Sequence, residues 1–212
     1  MRKIICMTFM LVLSALPTVS CAGTGNKQQK ENSSMKTAIS GKKSLVVFFS
    51  HTGENYGVGN IKKGNTHIIA EMIGDAAGAS LFEIVPQKSY PHDSYDAVVE
   101  IARKEKDTHA RPVIKGDIKV EDYDVIFIGY PNWWGDMPMP VYTFIERHDW
   151  KDKTVIPFCT HEGSGLSKTE TYIADACRGA TVGKGLAIKG TTAQNNQEQA
   201  RKLVAAWLEK LK

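Results

Sequence analysis

Residues 44–53 read Ser-Leu-Val-Val-Phe-Phe-Ser-His-Thr-Gly, an apolar run that ends in hydroxyl groups and a glycine. An unbroken run of β-branched and aromatic residues is typical of a parallel strand that is buried on both faces. The polar end leads through Asn65 and Thr66 into a segment whose apolar residues recur at helical spacing. The stretch therefore predicts a strand, a loop and a helix, which is the repeating unit of α/β domains with a parallel sheet.

The same alternation continues to the C-terminus. Further strands are predicted at residues 81–85, 123–129, 154–159 and 185–188, and helices at residues 65–78, 93–106, 141–145, 167–177 and 195–211. Pro157 is an irregularity in the fourth strand, because proline cannot donate to a strand ladder. In open parallel sheets, ligands bind outside the carboxyl ends of the strands. The loops after the first, third and fourth strands are therefore where we look for chemistry.

The N-terminus has the features of a targeting segment. Two basic residues precede an apolar run that ends near Pro17 and is too short to span a bilayer stably. Cleavage follows Ala22, or Cys21 is acylated as in bacterial lipoproteins and becomes a possible membrane tether. We predict a signal peptide at residues 1–20, a polar linker at residues 21–43 and a folded domain at residues 44–212. The expected location is the bacterial cell envelope, as a lipoprotein or a periplasmic protein.

Charge and cysteine content exclude several classes of protein. The chain has 27 Lys and Arg against 23 Asp and Glu, and loss of the two basic residues at the N-terminus leaves the protein close to neutral. Without a basic tract, nucleic acid is not a predicted partner. Cys159 and Cys177 flank a helix of about 12 residues that spans roughly 18 Å, which is beyond the reach of a disulfide. No metal site is predicted.

The loop after the first strand, residues 50–66, combines hydroxyl groups, glycines and the start of a helix. Unpaired backbone N–H groups and the helix dipole both favour an anion such as a phosphate. The loop lacks the pattern of a P-loop, because Lys63 precedes Gly64 instead of following it, and a nucleoside triphosphatase is therefore disfavoured. The alternative that Asn65 and Thr66 only cap the helix stays open.

The loop after the third strand, residues 130–138, contains two adjacent tryptophans between prolines. An indole gains most against a flat apolar partner, so aromatic rings at this position indicate a stacked ligand. We expect Trp133 and Trp134 to differ, one packing on the domain and the other facing the site. Packing of both in the core is the alternative.

The loop after the fourth strand reads Cys-Thr-His-Glu-Gly-Ser-Gly at residues 159–165. Its glycines let backbone amides approach a planar ligand closely, with His161 or Glu162 assisting. A nucleophile set of Cys159, His161 and Glu162 is the alternative, although neighbouring positions alone prove no catalytic triad.

Taken together, S-H-T-G with a later G-N-T, then G-Y-P-N-W-W-G-D-M-P and P-F-C-T-H-E-G-S-G, resemble the flavodoxin family. The resemblance covers residues 44–211 and implies a flavodoxin-like three-layer α/β sandwich with a five-stranded parallel sheet of order 2-1-3-4-5. It also implies FMN as the cofactor, with electron transfer or flavin-dependent reduction as the function. A Cys/His hydrolase and a cofactor-free envelope binding protein remain the alternatives.

The resemblance assigns the FMN contacts to the three loops. The phosphate is expected at Ser50, His51, Thr52, Gly53, Asn65 and Thr66. The isoalloxazine is expected to be flanked by Pro131, Asn132, Trp133, Trp134 and Gly135, and by Thr160, His161, Glu162, Gly163, Ser164 and Gly165. Gly135 matches the position where flavodoxins reorient a peptide to hydrogen-bond the flavin N5 on one-electron reduction. Gly135, His161 and Glu162 are therefore the predicted catalytic residues.

The chain departs from the family pattern in two respects. An insertion at residues 54–64 interrupts the phosphate loop, and we expect it to fold over the site with Tyr56 or Ile61 shielding the flavin. A disordered surface excursion is the alternative. Familiar flavodoxins are also strongly acidic, whereas this chain is near neutral. The charge favours a reductase of a small acceptor over a soluble electron shuttle, and the redox donor and acceptor are unidentified.

Overall fold

The computed structural model describes residues 41–211, which form a central parallel sheet covered by helices on both faces. The sheet strands are β1 (Ser44–Phe48), β4 (Ser80–Glu83), β7 (Val125–Pro131), β8 (Thr154–His161), β9 (Thr181–Val182) and β10 (Leu186–Lys189). Their spatial order is β4-β1-β7-β8-β10, with β9 also paired to β8. The predicted five-strand order 2-1-3-4-5 is therefore confirmed.

The helices are α1 (Asn65–Ala77), α2 (Tyr95–Asp107), α3 (Met139–Ile145), α4 (Thr169–Ala176), α5 (Gly190–Asn195) and α6 (Gln197–Leu208). A 3-10 turn at Val120–Asp122 precedes β7. Within residues 41–211, every helix is too short or too polar to cross a membrane. The predicted signal peptide and most of the predicted linker lie outside the described residues.

The first strand is apolar from Leu45 to Phe48 because both of its faces are buried. Leu45 and Val47 pack with the helices α2, α3 and α4, whereas Val46 and Phe48 pack with α1 and α6. Successive side chains of a strand point to opposite faces, so a run without polar residues has a helical layer on each side. The predicted three-layer architecture follows directly from this run.

The fifth position of the sheet is occupied by two short strands instead of one. The N–H of Gly183 donates to the carbonyl of Val155 beside β9, and β10 resumes opposite Phe158. Pro157 lies between them on the same edge of β8 and has no N–H to offer. The proline predicted to disturb the fourth strand therefore interrupts the ladder on its outer side and leaves the pairing with β7 intact.

The insertion after the first strand is an ordered β-hairpin, which we call the hairpin (residues 53–61). Its strands are β2 (Gly53–Asn55) and β3 (Gly59–Ile61). Its first strand contacts the loop before α2, and its tip at Gly57 lies beside Glu162. A second short antiparallel pair joins β5 (Val85–Pro86), which precedes α2 in the chain, to β6 (Ile114–Lys115), which follows it.

Candidate flavin site

Hydrogen bonds join the three predicted loops at the carboxyl edge of the sheet. The hydroxyls of Thr66 at the start of α1 and Thr160 near the end of β8 lie 2.8 Å apart, and both are buried. The backbone N–H of Asn132 donates to the carbonyl of Thr160 at 2.8 Å. The amide of Asn132 also donates to the carbonyl of Gly165 at 2.8 Å and to the hydroxyl of Ser167 at 3.0 Å. These hydrogen bonds therefore hold the three loops in fixed positions relative to one another.

The first loop forms a cradle of backbone N–H groups at the N-terminus of α1. Within residues 41–211, the N–H groups of Asn65 and Thr66 make no hydrogen bond, whereas His67 N–H donates to the Ser50 hydroxyl at 3.1 Å. A Cβ at Gly64 would lie 2.1 Å from that hydroxyl oxygen, so only glycine allows the loop to close here. Free N–H groups at a helix N-terminus favour an anion.

His51 is buried beside this cradle and stacks on His92, with ring centroids 5.6 Å apart and planes 7° apart. Its ring also meets Tyr90 and Trp133 edge-on. Burial, with a smaller contribution from His92, lowers the pKa of His51 to about 4, so the ring is neutral at pH 7. Within the described residues its Nε2 is buried without a hydrogen-bond partner.

The two tryptophans have different environments, as predicted. Trp133 packs edge-on against Phe49 and Tyr90, with ring centroids 5.4 Å and 5.2 Å away. Trp134 is 50% exposed and its indole N–H donates to the carbonyl of Val99 on α2 at 3.1 Å. Trp133 therefore packs on the domain, and the alternative that both pack in the core is excluded.

Residues 133–136, which we call the tryptophan turn, form a tight two-residue hairpin. Trp133 and Asp136 exchange two backbone hydrogen bonds of 2.9 Å and 3.0 Å. The residues between them, Trp134 and Gly135, have φ of 56° and 73°, which is the pattern of a type I′ turn. Glycine tolerates this conformation, whereas a tryptophan in it is strained.

The third loop places His161 and Glu162 in unequal roles. Nδ1 of His161 accepts from the N–H of Gly163 at 2.8 Å, which leaves Nε2 to carry the proton of the neutral ring. Burial lowers the pKa of His161 below its usual value. Glu162 accepts from the N–H of Thr191 at 2.6 Å and from its hydroxyl at 3.2 Å, so its carboxylate holds the start of α5.

Cys159 does not have the environment of a nucleophile. Its thiol is buried and donates to the carbonyl of Gly165 at 3.2 Å, and burial raises its pKa to about 12. A nucleophilic cysteine requires a lowered pKa and access to substrate. Cys159 and Cys177 are both free, buried thiols. The geometry thus disfavours the Cys/His hydrolase.

A sequence profile of flavodoxins matches residues 43–211, which is most of the chain. The chain belongs to the flavodoxin family. Among curated proteins, none matches it. A flavoprotein structure from Bacteroides eggerthii is 30% identical, covers 80% of this chain and 98% of that chain, and superposes with a TM-score of 0.64.

Two further solved structures are similar. A flavoprotein from Bacteroides uniformis is 29% identical, with coverage of 77% of this chain and 98% of that chain and a TM-score of 0.59. A Lactobacillus acidophilus flavoprotein, solved in complex with FMN, is 22% identical, with coverage of 71% of this chain and 95% of that chain and a TM-score of 0.55. The last likeness supports the flavodoxin-like fold alone.

Sequence reasoning missed several residues around this flavodoxin site. Tyr90 and His92 lie in the loop between β5 and α2, to which no chemistry was assigned. Tyr90 contacts Trp133, and His92 contacts His51. All strands of a parallel sheet end at one edge, so the Tyr-Pro-His sequence there was a usable signal. Lys106 on α2 donates to the carbonyl of Trp134, and its position two turns after Val99 places both on one helix face.

Proposed function

We propose that this chain is an FMN-binding flavoprotein that transfers electrons to a small acceptor. The proposal rests on one observation. The cradle of free N–H groups at α1 lies on the same edge of the sheet as the tryptophan turn, and hydrogen bonds join the loops of that edge. The first suits a phosphate and the second suits a flat aromatic ring. Membership of the flavodoxin family supports FMN as the cofactor.

The phosphate would be held by backbone groups. The unbonded N–H groups of Asn65 and Thr66 would donate to it, and the Ser50 hydroxyl, which already accepts from His67, retains its own proton for donation. His51 is neutral at pH 7 and adds no charge. The helix dipole would contribute to compensating the phosphate charge.

The redox end would be formed by the tryptophan turn and the third loop. FMN supplies the electron-transfer chemistry, and the protein supplies orientation and electrostatics. The Nε2–H of His161 is a side-chain donor of the third loop. The carboxylate of Glu162 is engaged by Thr191, so we assign it to positioning the loop between the hairpin tip and α5.

A cavity of about 280 Å³ beside the tryptophan turn supports a small acceptor. Its lining is mostly apolar and includes Trp133 and Trp134 on one side and Tyr95, Val98 and Val99 of α2 on the other. Pockets for small ligands are mostly apolar and concave, with few polar groups. Together with the near-neutral charge of the chain, this favours a reductase over an electron shuttle.

Reconstitution with flavins tests the proposal. The purified protein is mixed with FMN, FAD or riboflavin, and the absorption spectrum and the dissociation constant are measured for each. We expect one FMN per chain, and affinity for riboflavin lower by at least about tenfold, because riboflavin lacks the phosphate that the cradle would bind. A protein that is colourless after excess FMN has been added and the unbound FMN removed, or that binds riboflavin as tightly as FMN, would contradict the proposal.

The cellular location is a separate proposal that rests on the N-terminal sequence. We propose export to the cell envelope, with Cys21 acylated or residues 1–22 removed. Fractionation of cells that express the wild type and Cys21→Ala distinguishes the two routes. Membrane association that is lost in Cys21→Ala supports the lipoprotein, and a wild type found in the periplasmic fraction supports periplasmic release.

A further inference from the structure

The peptide between Trp134 and Gly135 is held at both of its polar atoms. Its N–H donates to Oδ1 of Asn132 at 3.0 Å, and its carbonyl accepts from Nζ of Lys106 at 2.5 Å. Lys106 is half-buried on α2 and its bond to the Trp134 carbonyl is exposed to solvent, and a hydrogen bond from an ammonium is stronger than one between neutral groups. The central peptide of this turn therefore cannot rotate without breaking a side-chain hydrogen bond.

The same helix also fixes the side chain of Trp134. The indole N–H donates to the carbonyl of Val99, which lies two turns before Lys106 on the same face of α2. Trp134 has a φ of 56°, in the left-handed region that non-glycine residues rarely adopt. Two bonds from α2 thus hold a strained residue in place.

The two side chains that bond this peptide, Asn132 and Lys106, differ in their other contacts. The Asn132 side chain also bonds Gly165 and Ser167, so its removal would loosen the third loop as well. Within the described residues, the ammonium of Lys106 contacts only the Trp134 carbonyl by hydrogen bonding. A substitution of Lys106 therefore removes one hydrogen bond to the peptide without breaking a hydrogen bond elsewhere in residues 41–211.

We propose that Lys106 is a positioning residue of the flavin site, which fixes the orientation of the Trp134–Gly135 peptide and thereby sets the redox potentials of the bound cofactor. The inference rests on the proposed function, because the potentials are those of FMN. The peptide lies in the turn that flanks the site, and its two polar atoms are already occupied. Any contact between that peptide and a reduced flavin would compete with the bond to Lys106 or to Asn132.

The first test uses the protein without flavin. Amide hydrogen exchange and the NMR chemical shifts of Gly135 and of the Trp134 indole are compared in the wild type, Lys106→Met and Lys104→Met. Lys104 lies on the same helix, is exposed, and its ammonium makes no hydrogen bond within residues 41–211, so its variant controls for the lost charge. We expect exchange at Gly135 to rise about tenfold in Lys106→Met and to stay unchanged in Lys104→Met. Unchanged Gly135 signals in Lys106→Met would overturn the inference.

The second test uses the FMN-loaded protein. The two one-electron potentials are measured by spectroelectrochemical titration for the same variants and for Lys106→Arg. We expect the ratio of the two one-electron equilibrium constants to change about tenfold in Lys106→Met, and Lys106→Arg to restore most of it. Equal effects of Lys106→Met and Lys104→Met would overturn the inference. A wild type that binds no FMN would overturn the proposed function instead, and the flavin-free comparison would still decide whether Lys106 fixes the peptide.

Discussion

The hairpin and the tryptophan turn are both tight reversals at the carboxyl edge of the sheet, and both need left-handed backbone. In the hairpin, the positive φ values belong to glycines, at 89° for Gly53, 77° for Gly57 and 70° for Gly59. In the turn, one of the two positions is Trp134, where left-handed φ carries a steric cost. The hairpin is thus shaped by its own sequence, whereas the turn depends on bonds from α2.

Both regions nevertheless form hydrogen bonds with the same helix, α2. The Glu54 carboxylate in the hairpin accepts from the N–H of Tyr95 at the start of α2, and the turn is bonded to Val99 and Lys106 further along. Helix α2 carries no motif residue, yet it supports both elements that flank the site. Variants that separate local backbone preference from support by α2 put this to the test.

The largest effect is expected from Gly53→Ala. A Cβ there would lie 2.1 Å from the carbonyl oxygen of His92, and φ is 89°, so both sterics and backbone strain oppose the change. We expect a loss of about 3 kcal/mol in the free energy of unfolding, measured by urea denaturation. In Gly59→Ala the φ is 70° but the Cβ meets nothing within 4 Å, and we expect a loss of about 1 kcal/mol. Equal losses would show that the contact with His92 does not hold the hairpin.

Replacement of the tryptophans should separate packing from strain. Trp133→Ala removes a ring that packs on Phe49 and Tyr90, and we expect it to lower the free energy of unfolding by about 2 to 3 kcal/mol. Trp134→Gly loses the bond to Val99 but relieves the left-handed strain, so we expect a change within about 1 kcal/mol. Chemical denaturation of both variants measures the difference. If Trp134→Gly were as unstable as Trp133→Ala, the exposed indole of Trp134 would stabilise the turn by more than its left-handed strain costs.

His51 lies between the two regions and should make stability depend on pH. Its folded-state pKa is about 4, below the ordinary value of 6.5, so below pH 6.5 the unfolded state binds more protons than the folded state. Stability should therefore fall as the pH drops from about 6.5 towards 4, by about 2 kcal/mol for this group. Thermal unfolding of the wild type and His51→Asn across this range isolates the contribution, because the acidic residues are common to both. Parallel pH profiles would contradict the buried, neutral histidine.

The smallest effect is expected from Glu54→Gln, which keeps a hydrogen-bond acceptor for the Tyr95 N–H but removes the negative charge at the start of α2. Negative charge is favourable near a helix N-terminus, and we expect a loss of about 0.5 kcal/mol that shrinks at high salt. Glu100→Gln, in the middle of the same helix and exposed, serves as the matched control and should change stability less. Unfolding measured at two salt concentrations would refute the idea if the two variants behaved alike.

Much of the fold was predictable because strand and helix patterns are local. The run from Ser44 to Phe48 indicated a strand covered on both faces, and the glycine at position 78 ends α1 with a φ of 64°. Pro157 was correctly placed in a strand, but its effect on the neighbouring strand was not predictable, since that depends on which edge its missing N–H faces. The five-strand order came from the family resemblance and is confirmed.

The sequence by itself determined the alternation of strands and helices, the positions of the three loops and the residue types that suit a phosphate and a flat ring. Apolar periodicity and turn chemistry act over a few residues, so one chain is enough to recognise them. Only the tertiary structure decided which side chains meet at the edge. Thr66 meets Thr160 across 94 residues and Lys106 meets Trp134 across 28, because the order of strands in the sheet brings distant segments to one place.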